Sequence, residues 1–137
     1  MADLTEMEQR VLAELQEFWV ENVFSMINTI YDPTGDPHEV AMLQEALNGL
    51  VERDYVLMGF EGFVPRNPEK LGKKQSLELV SQLGDWFKFD SENSCWTLSK
   101  GDIKKERIPA IFSSAEAREK AFQILDERGY QWWRPKR

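Results

Sequence analysis

The amino-acid sequence predicts an α+β fold: helices at the amino end, then a small antiparallel sheet with a hairpin, then a closing C-terminal helix. Three observations lead there. Apolar residues recur at spacings of three and four over residues 7–30, 40–51 and 117–125. Short runs rich in β-branched and aromatic residues stand at 55–60, 86–89, 95–98 and 108–112. Clusters of Pro, Gly, Asp and Ser separate the two kinds of segment. A chain of 137 residues buries roughly two-thirds of its unfolded surface. One domain over residues 1–137 is expected, with an elaborated segment at about 61–106.

The elements follow in order. Met7, Val11, Leu15, Phe18, Trp19, Val23, Met26, Ile27 and Ile30 lie on one helical face, and no Gly or Pro interrupts residues 5–30. They predict one long helix, or two joined by a tight bend near Glu21–Asn22. Thr5 and Glu8 have capping-box spacing and would start it. Glu6, Glu14, Glu17 and Glu21 fall mainly on the opposite face, expected in solvent. "DPTGDP" at 32–37 is a turn in which Asp36 caps the next helix and Pro37 takes its first position. That helix carries Val40, Leu43, Leu47, Leu50 and Val51 inward, with Arg53 placed to serve its carbonyl end. "YVLMGF" reads as a strand, residues 61–75 as a loop, and residues 76–83 as a short helix. Trp86–Phe89 and Cys95–Leu98 form a hairpin about a polar turn. A strand at Ile108–Phe112 leads to a helix capped by Ser113 or Ser114, with Glu116 as the capping-box acid for Ser113. "LVERDY" at 50–55 and "LDERGY" at 125–130 describe one event twice: a helix ends, Asp54 or Gly129 reverses the chain, and Tyr begins an extended segment.

Charge divides the chain. The formal net charge is −7, yet residues 1–63 hold 13 acidic and 2 basic side chains, and residues 64–137 hold 11 acidic and 15 basic. A phosphate-bearing partner would be repelled by the first half. No apolar run approaches the ~18 residues of a membrane span. The polar, acidic "MADLTEMEQR" does not suit a secretory signal. Cys95 is the single cysteine, which points to a reducing, cytoplasmic compartment.

The order of helix, short helix, turn, helix, strand and hairpin resembles the winged-helix (winged helix-turn-helix) family. The likeness centres on "ALNGLVERDYV", where Leu47, Leu50, Val51, Glu52, Arg53, Tyr55 and Val56 match the end of a recognition helix and the strand after it. "IFSSAEAREKAFQIL" is similar to the passage from the wing strand into a closing helix. The resemblance spans residues 5–60 and 107–128. It implies that the helix at 37–53 is the recognition element. Asp54 stands where Gly is usual in the family, and Asp tolerates the left-handed conformation required there. The chemistry departs further. DNA-reading helices offer Arg, Lys, Asn or Gln, whereas this one offers His38, Glu39, Glu45 and Glu52 beside Gln44 and Asn48.

Catalytic chemistry has few materials. His38 is the only histidine, so a Cys-His pair or a zinc site lacks ligands. His38 is expected on the surface and Cys95 as a small hydrophobe beside Trp96. Asp32 and Asp36 have the spacing a turn and cap require. "LGKKQS" fails the phosphate-loop spacing. The expectation is therefore a non-enzymatic winged-helix-like module without cofactor or metal, acting through protein–protein interaction or dimerisation in a regulatory role. The expected interface is Trp132, Trp133 and Arg134, because an extended chain would send the adjacent tryptophans to opposite faces. The alternative is a DNA-binding transcriptional regulator, with Gln44 and Asn48 on bases and Lys104, Lys105 and Arg107 on phosphates. A small enzyme using carboxylates stands third.

Overall fold

The computed structural model describes residues 3–130 together with Trp132 and Trp133. Helix α1 spans Glu6–Leu15, and its start is the expected capping box: Thr5 Oγ1 accepts from the Glu8 amide while the Glu8 carboxylate accepts from the Thr5 amide. Of the two expectations for residues 5–30, two helices is the one found, with a longer connection and a strand where a tight bend was expected. Residues 5–30 form two helices with a strand between them, β1 at Val20–Asn22 and α2 at Val23–Ile30. The break has a local cause. Asn22 caps α2 by accepting from the Ser25 amide at 2.8 Å, so a new helix starts there. Phe18 and Trp19 fall in the connection, where helical spacing no longer sets their direction. They are exposed, not core residues.

The expected solvated acidic face is corrected as well. Glu14 and Glu21 are buried, as is Glu8. Glu8 faces Arg53 at 3.4 Å, and Glu14 accepts from a tryptophan indole. Buried carboxylates persist only with such partners.

Helix α3 is Pro37–Glu52, capped by Asp36 on the His38 amide. It buries Val40, Leu43, Ala46, Leu47, Leu50 and Val51. Asp54 takes a φ of 64° and turns the chain into β2, Val56–Gly62. Arg53 does not serve the helix carbonyls. Lys73 does, donating to the Glu52 carbonyl at 3.0 Å while pairing with Asp54 at 3.0 Å. The expected loop at 61–75 contains a short strand, β3 at Glu69–Lys70, and the start of α4, Lys73–Gln82. A tight helical turn at Leu83–Trp86 leads into the hairpin of β4, Phe87–Asp90, and β5, Cys95–Leu98. Strand β6, Arg107–Ser113, ends at Ser114, which caps α5, Ala115–Arg128. Ser114 alone is the cap: it accepts from the Ala117 amide at 3.0 Å, while Ser113 Oγ donates to the Trp19 carbonyl.

Four strands form one antiparallel sheet in the order β1-β6-β2-β3, and β4-β5 is a separate ribbon. The long pairing of β2 with β6 joins Val56 to Ser113 and Gly62 to Arg107. Gly59 lies within it because a Cβ there would meet the Glu69 carbonyl and the Phe112 ring. Among the described residues, helices α1 to α5 and both sheets contribute to one continuous apolar core. The ribbon is fastened to α2 and to the 32–37 turn. Asn28 exchanges two hydrogen bonds with the Trp96 backbone, mimicking a neighbouring strand. Glu39 accepts from the Trp96 indole at 3.0 Å and from Thr34 and Gly35. The hairpin aromatics turn inward, with Phe87 against Phe24 and Trp96 edge-on to Phe87 and Phe89.

No helix among the described residues is long and apolar enough to cross a membrane.

Candidate functional site

Between the edge of the sheet and the loop after β2 lies a hollow of about 230 Å³. Its walls come from two short segments, 18–25 and 61–66. Phe18 and Phe63 stand at its rim, each 47% exposed, and their chain neighbours Trp19 and Val64 are exposed as well, at 54% and 77%. Arg118 lies over the Trp19 ring, 4.2 Å from its centroid, and holds it in place.

Carboxylates line the interior. Glu21 of β1 and Glu61 of β2 are both more than nine-tenths buried. Arg66 supplies a cation to Glu61 through a 2.7 Å bond from Nε to Oε2. Its Nη2 donates to the Val20 carbonyl at 2.7 Å. The position of that carbonyl follows from strand register. Ser113 N donates to the Trp19 carbonyl, and Val20 is opposite Phe112. Antiparallel alternation therefore turns the Val20 N–H and C=O away from β6. No other strand among the described residues lies along that side of β1.

The hollow is smaller than the roughly 300–1,000 Å³ of cofactor and small-molecule pockets. It suits a single side chain. Among the described residues no cluster of three His, Cys, Asp or Glu side chains is placed to hold a metal.

The residues singled out from sequence lie elsewhere. Trp133 is 4% exposed and belongs to the chain's own core. Its indole donates to the Glu14 carboxylate at 2.9 Å, and its carbonyl accepts from Arg10. Trp132 is half-buried, with the Arg128 guanidinium 3.5 Å from its ring centroid. These tryptophans sit in a turn rather than an extended segment, so the expected alternation of faces does not occur. Arg134 lies outside the described residues.

On α3, Gln44 is committed internally, donating from Nε2 to the Val80 carbonyl at 2.9 Å and binding α4 to α3. Asn48 is exposed, on a stripe with His38, Ala41, Glu45 and Glu52. It borders a second hollow of about 340 Å³, lined by Thr5, Met7 and Glu8 at the start of α1 and by Met42, Glu45, Ala46 and Gly49 of α3. Arg107 bonds Asn67 at 2.7 Å and faces Glu69, leaving Lys104 and Lys105 exposed beside it. The structure does not bring Gln44 and Asn48 to one surface with Lys104, Lys105 and Arg107 in any shared cavity among those described.

Phe18, Trp19, Phe63, Val64 and Arg66 were not singled out from sequence as site residues. A signal existed: "GFVPR" places two large apolar residues in a loop otherwise built from Gly, Pro and charge. Comparison with protein-family models, curated proteins and solved structures finds no match to this chain.

Proposed function

We propose that this chain is a non-enzymatic, winged-helix-like recognition module that binds a protein partner in a regulatory role, in the cytoplasm. The observation that carries the reading is the pair of half-exposed aromatics, Phe18 and Phe63, brought to the rim of one hollow by two separate segments, each followed in the chain by another exposed apolar residue, Trp19 or Val64. Exposed aromatics beside an arginine suit a macromolecular contact. The winged-helix-like reading draws support from element order. The elements α1, β1, α2, α3, β2 and β6 follow one another in that order along the chain, and β6 lies between β1 and β2 in the sheet. Strand β3, helix α4 and the β4-β5 ribbon then form an insertion between β2 and β6.

The same arrangement gives little support to DNA reading. Helix α3 presents Glu45 and Glu52 to solvent beside Asn48, and Gln44 is engaged with α4. Phosphate neutralisation supplies much of DNA affinity, and an acidic stripe opposes it.

The test pairs two measurements on the intact protein. A double substitution of Phe18→Ser and Trp19→Ser is expected to retain the cooperative melting transition. It is expected to abolish cross-linking to protein from a photoreactive group at Val64. Duplex DNA at 20 mM salt is expected to give no shift. Salt-sensitive DNA binding, with cross-linking unaffected by the double substitution, would reverse the reading.

A further inference from the structure

The hollow already holds a guanidinium, and its geometry indicates what a partner would bring. Arg66 is half-exposed, on a loop whose residues 63–68 are all exposed. Its two acceptors differ sharply from it. Glu61 is buried and needs a cation, because a buried carboxylate without one is costly. The Val20 carbonyl belongs to a strand edge, where a bond from a neighbouring strand would otherwise fall. Arg66 thus satisfies, from a loop, a carboxylate and an edge carbonyl together.

We propose that the hollow docks an extended, arginine-bearing segment of a partner protein. The segment adds alongside β1, and its guanidinium takes the place of Arg66 on Glu61 and in the carboxylate-lined interior. This deepens the proposed function and rests on it.

Charge complementarity selects the occupant. Glu21 and Glu61 line the hollow, and residues 1–63 carry 13 acidic against 2 basic side chains. A second copy would bring its own Glu21 and the same acidic half to the contact, and like charges disfavour that pairing. A basic segment gains from both. The exchange is feasible because Arg66 is half-exposed and the incoming guanidinium leaves Glu61 with a cation throughout. An incoming strand adds main-chain hydrogen bonds to Val20 and covers Phe18 and Phe63. Arginine's planar guanidinium can meet the Glu61 carboxylate side-on, whereas lysine offers a point charge.

The experiment uses three acetylated, amidated heptapeptides of alternating threonine and valine. The first has a central arginine, the second a central citrulline, and the third the arginine with alternate amides N-methylated. Each is titrated into the wild-type protein and into its Arg66→Ala and Glu61→Gln variants. Amide chemical shifts of residues 18–25 provide the readout. The expected result is binding of the arginine peptide, at least tenfold tighter to Arg66→Ala than to wild type. Citrulline or N-methylation should weaken it at least tenfold. Equal affinity for arginine and citrulline peptides overturns the proposal, as does concentration-dependent dimerisation of Arg66→Ala in place of peptide binding. If Arg66→Ala is unfolded, the wild type and Glu61→Gln decide: equal affinity of the arginine peptide for both overturns it. Failure of the peptides while the Val64 cross-linker still captures a protein rejects this inference alone. Loss of both rejects the proposed function with it.

Discussion

Two aromatic pairs, Phe18–Trp19 and Trp132–Trp133, have opposite fates. The first follows a helix whose apolar periodicity runs through it, yet both of its rings are exposed. The second is expected from sequence to face a partner, with one ring on either side of an extended chain, yet Trp133 is a core residue. What separates them is the available polar partner. Trp133 reaches the buried Glu14 carboxylate, and Arg10 ties its carbonyl to the end of α2 by also donating to Ile30. Trp19 has the Arg118 guanidinium above its ring, at a strand edge. Hydrophobicity alone does not decide where an aromatic goes. The lesson is that its hydrogen-bond partner and its place in the chain decide as much.

The comparison can be broken most strongly at Trp133. Trp133→Ala removes a buried ring and leaves the Glu14 carboxylate without its indole donor. A loss of about 3–5 kcal/mol is expected from the cavity alone, read as a lower urea midpoint. The opposite pair sharpens the contrast, because Phe18→Ser with Trp19→Ser should change the same midpoint by under about 1 kcal/mol.

Between these extremes lies Gly59, which seats the Phe112 ring under the sheet face that carries Val20. Gly59→Ala should cost about 1–3 kcal/mol through overpacking, measured by thermal denaturation. Gly59→Ala is also expected to broaden the amide resonances of β1, since its Cβ would displace a ring packed across from Val20.

A smaller effect is expected at Tyr31, beside the Arg10 end of the tryptophan clasp. Burial, aided by Glu39 and opposed by Arg10, pushes its phenol up to about 12 from an ordinary value near 10. The folded state therefore keeps the proton over a range where the unfolded chain releases it. Stability from this group is complete below pH 10 and is lost as pH rises from 10 through 12. The Tyr31 hydroxyl also has no hydrogen-bond partner among the described residues. Tyr31→Phe should thus be neutral or up to about 1 kcal/mol more stable at pH 7. The difference between variant and wild type should widen above pH 10, as measured by denaturant midpoints across that range.

Much of the fold was legible where local chemistry determines structure. The Thr5–Glu8 box, the Asp36–Pro37 start, the left-handed Asp54 and Gly129 and the 87–98 hairpin all follow from residue types at short separation. Legibility failed where distant groups compete. Nothing near residue 20 announces that β6 will recruit Val20–Asn22 as a strand partner, since that pairing spans some ninety residues of sequence. Glu14 looked solvated because its partner, Trp133, lies far along the chain. The candidate site was hidden for the same reason. Segments 18–25 and 61–66 meet only after β6 has been placed between β1 and β2.

The central claim is that Phe18 and Trp19 form a recognition surface while Trp133 forms core. Hydroxyl-radical footprinting, read residue by residue by mass spectrometry, tests it most directly. The account predicts that Phe18, Trp19 and Phe63 are oxidised at least tenfold faster than Trp133 in the free protein. It also predicts that saturating arginine peptide protects those three and leaves Trp133 unchanged. Rapid oxidation of Trp133 with protection of Phe18 and Trp19 in the free protein would contradict it.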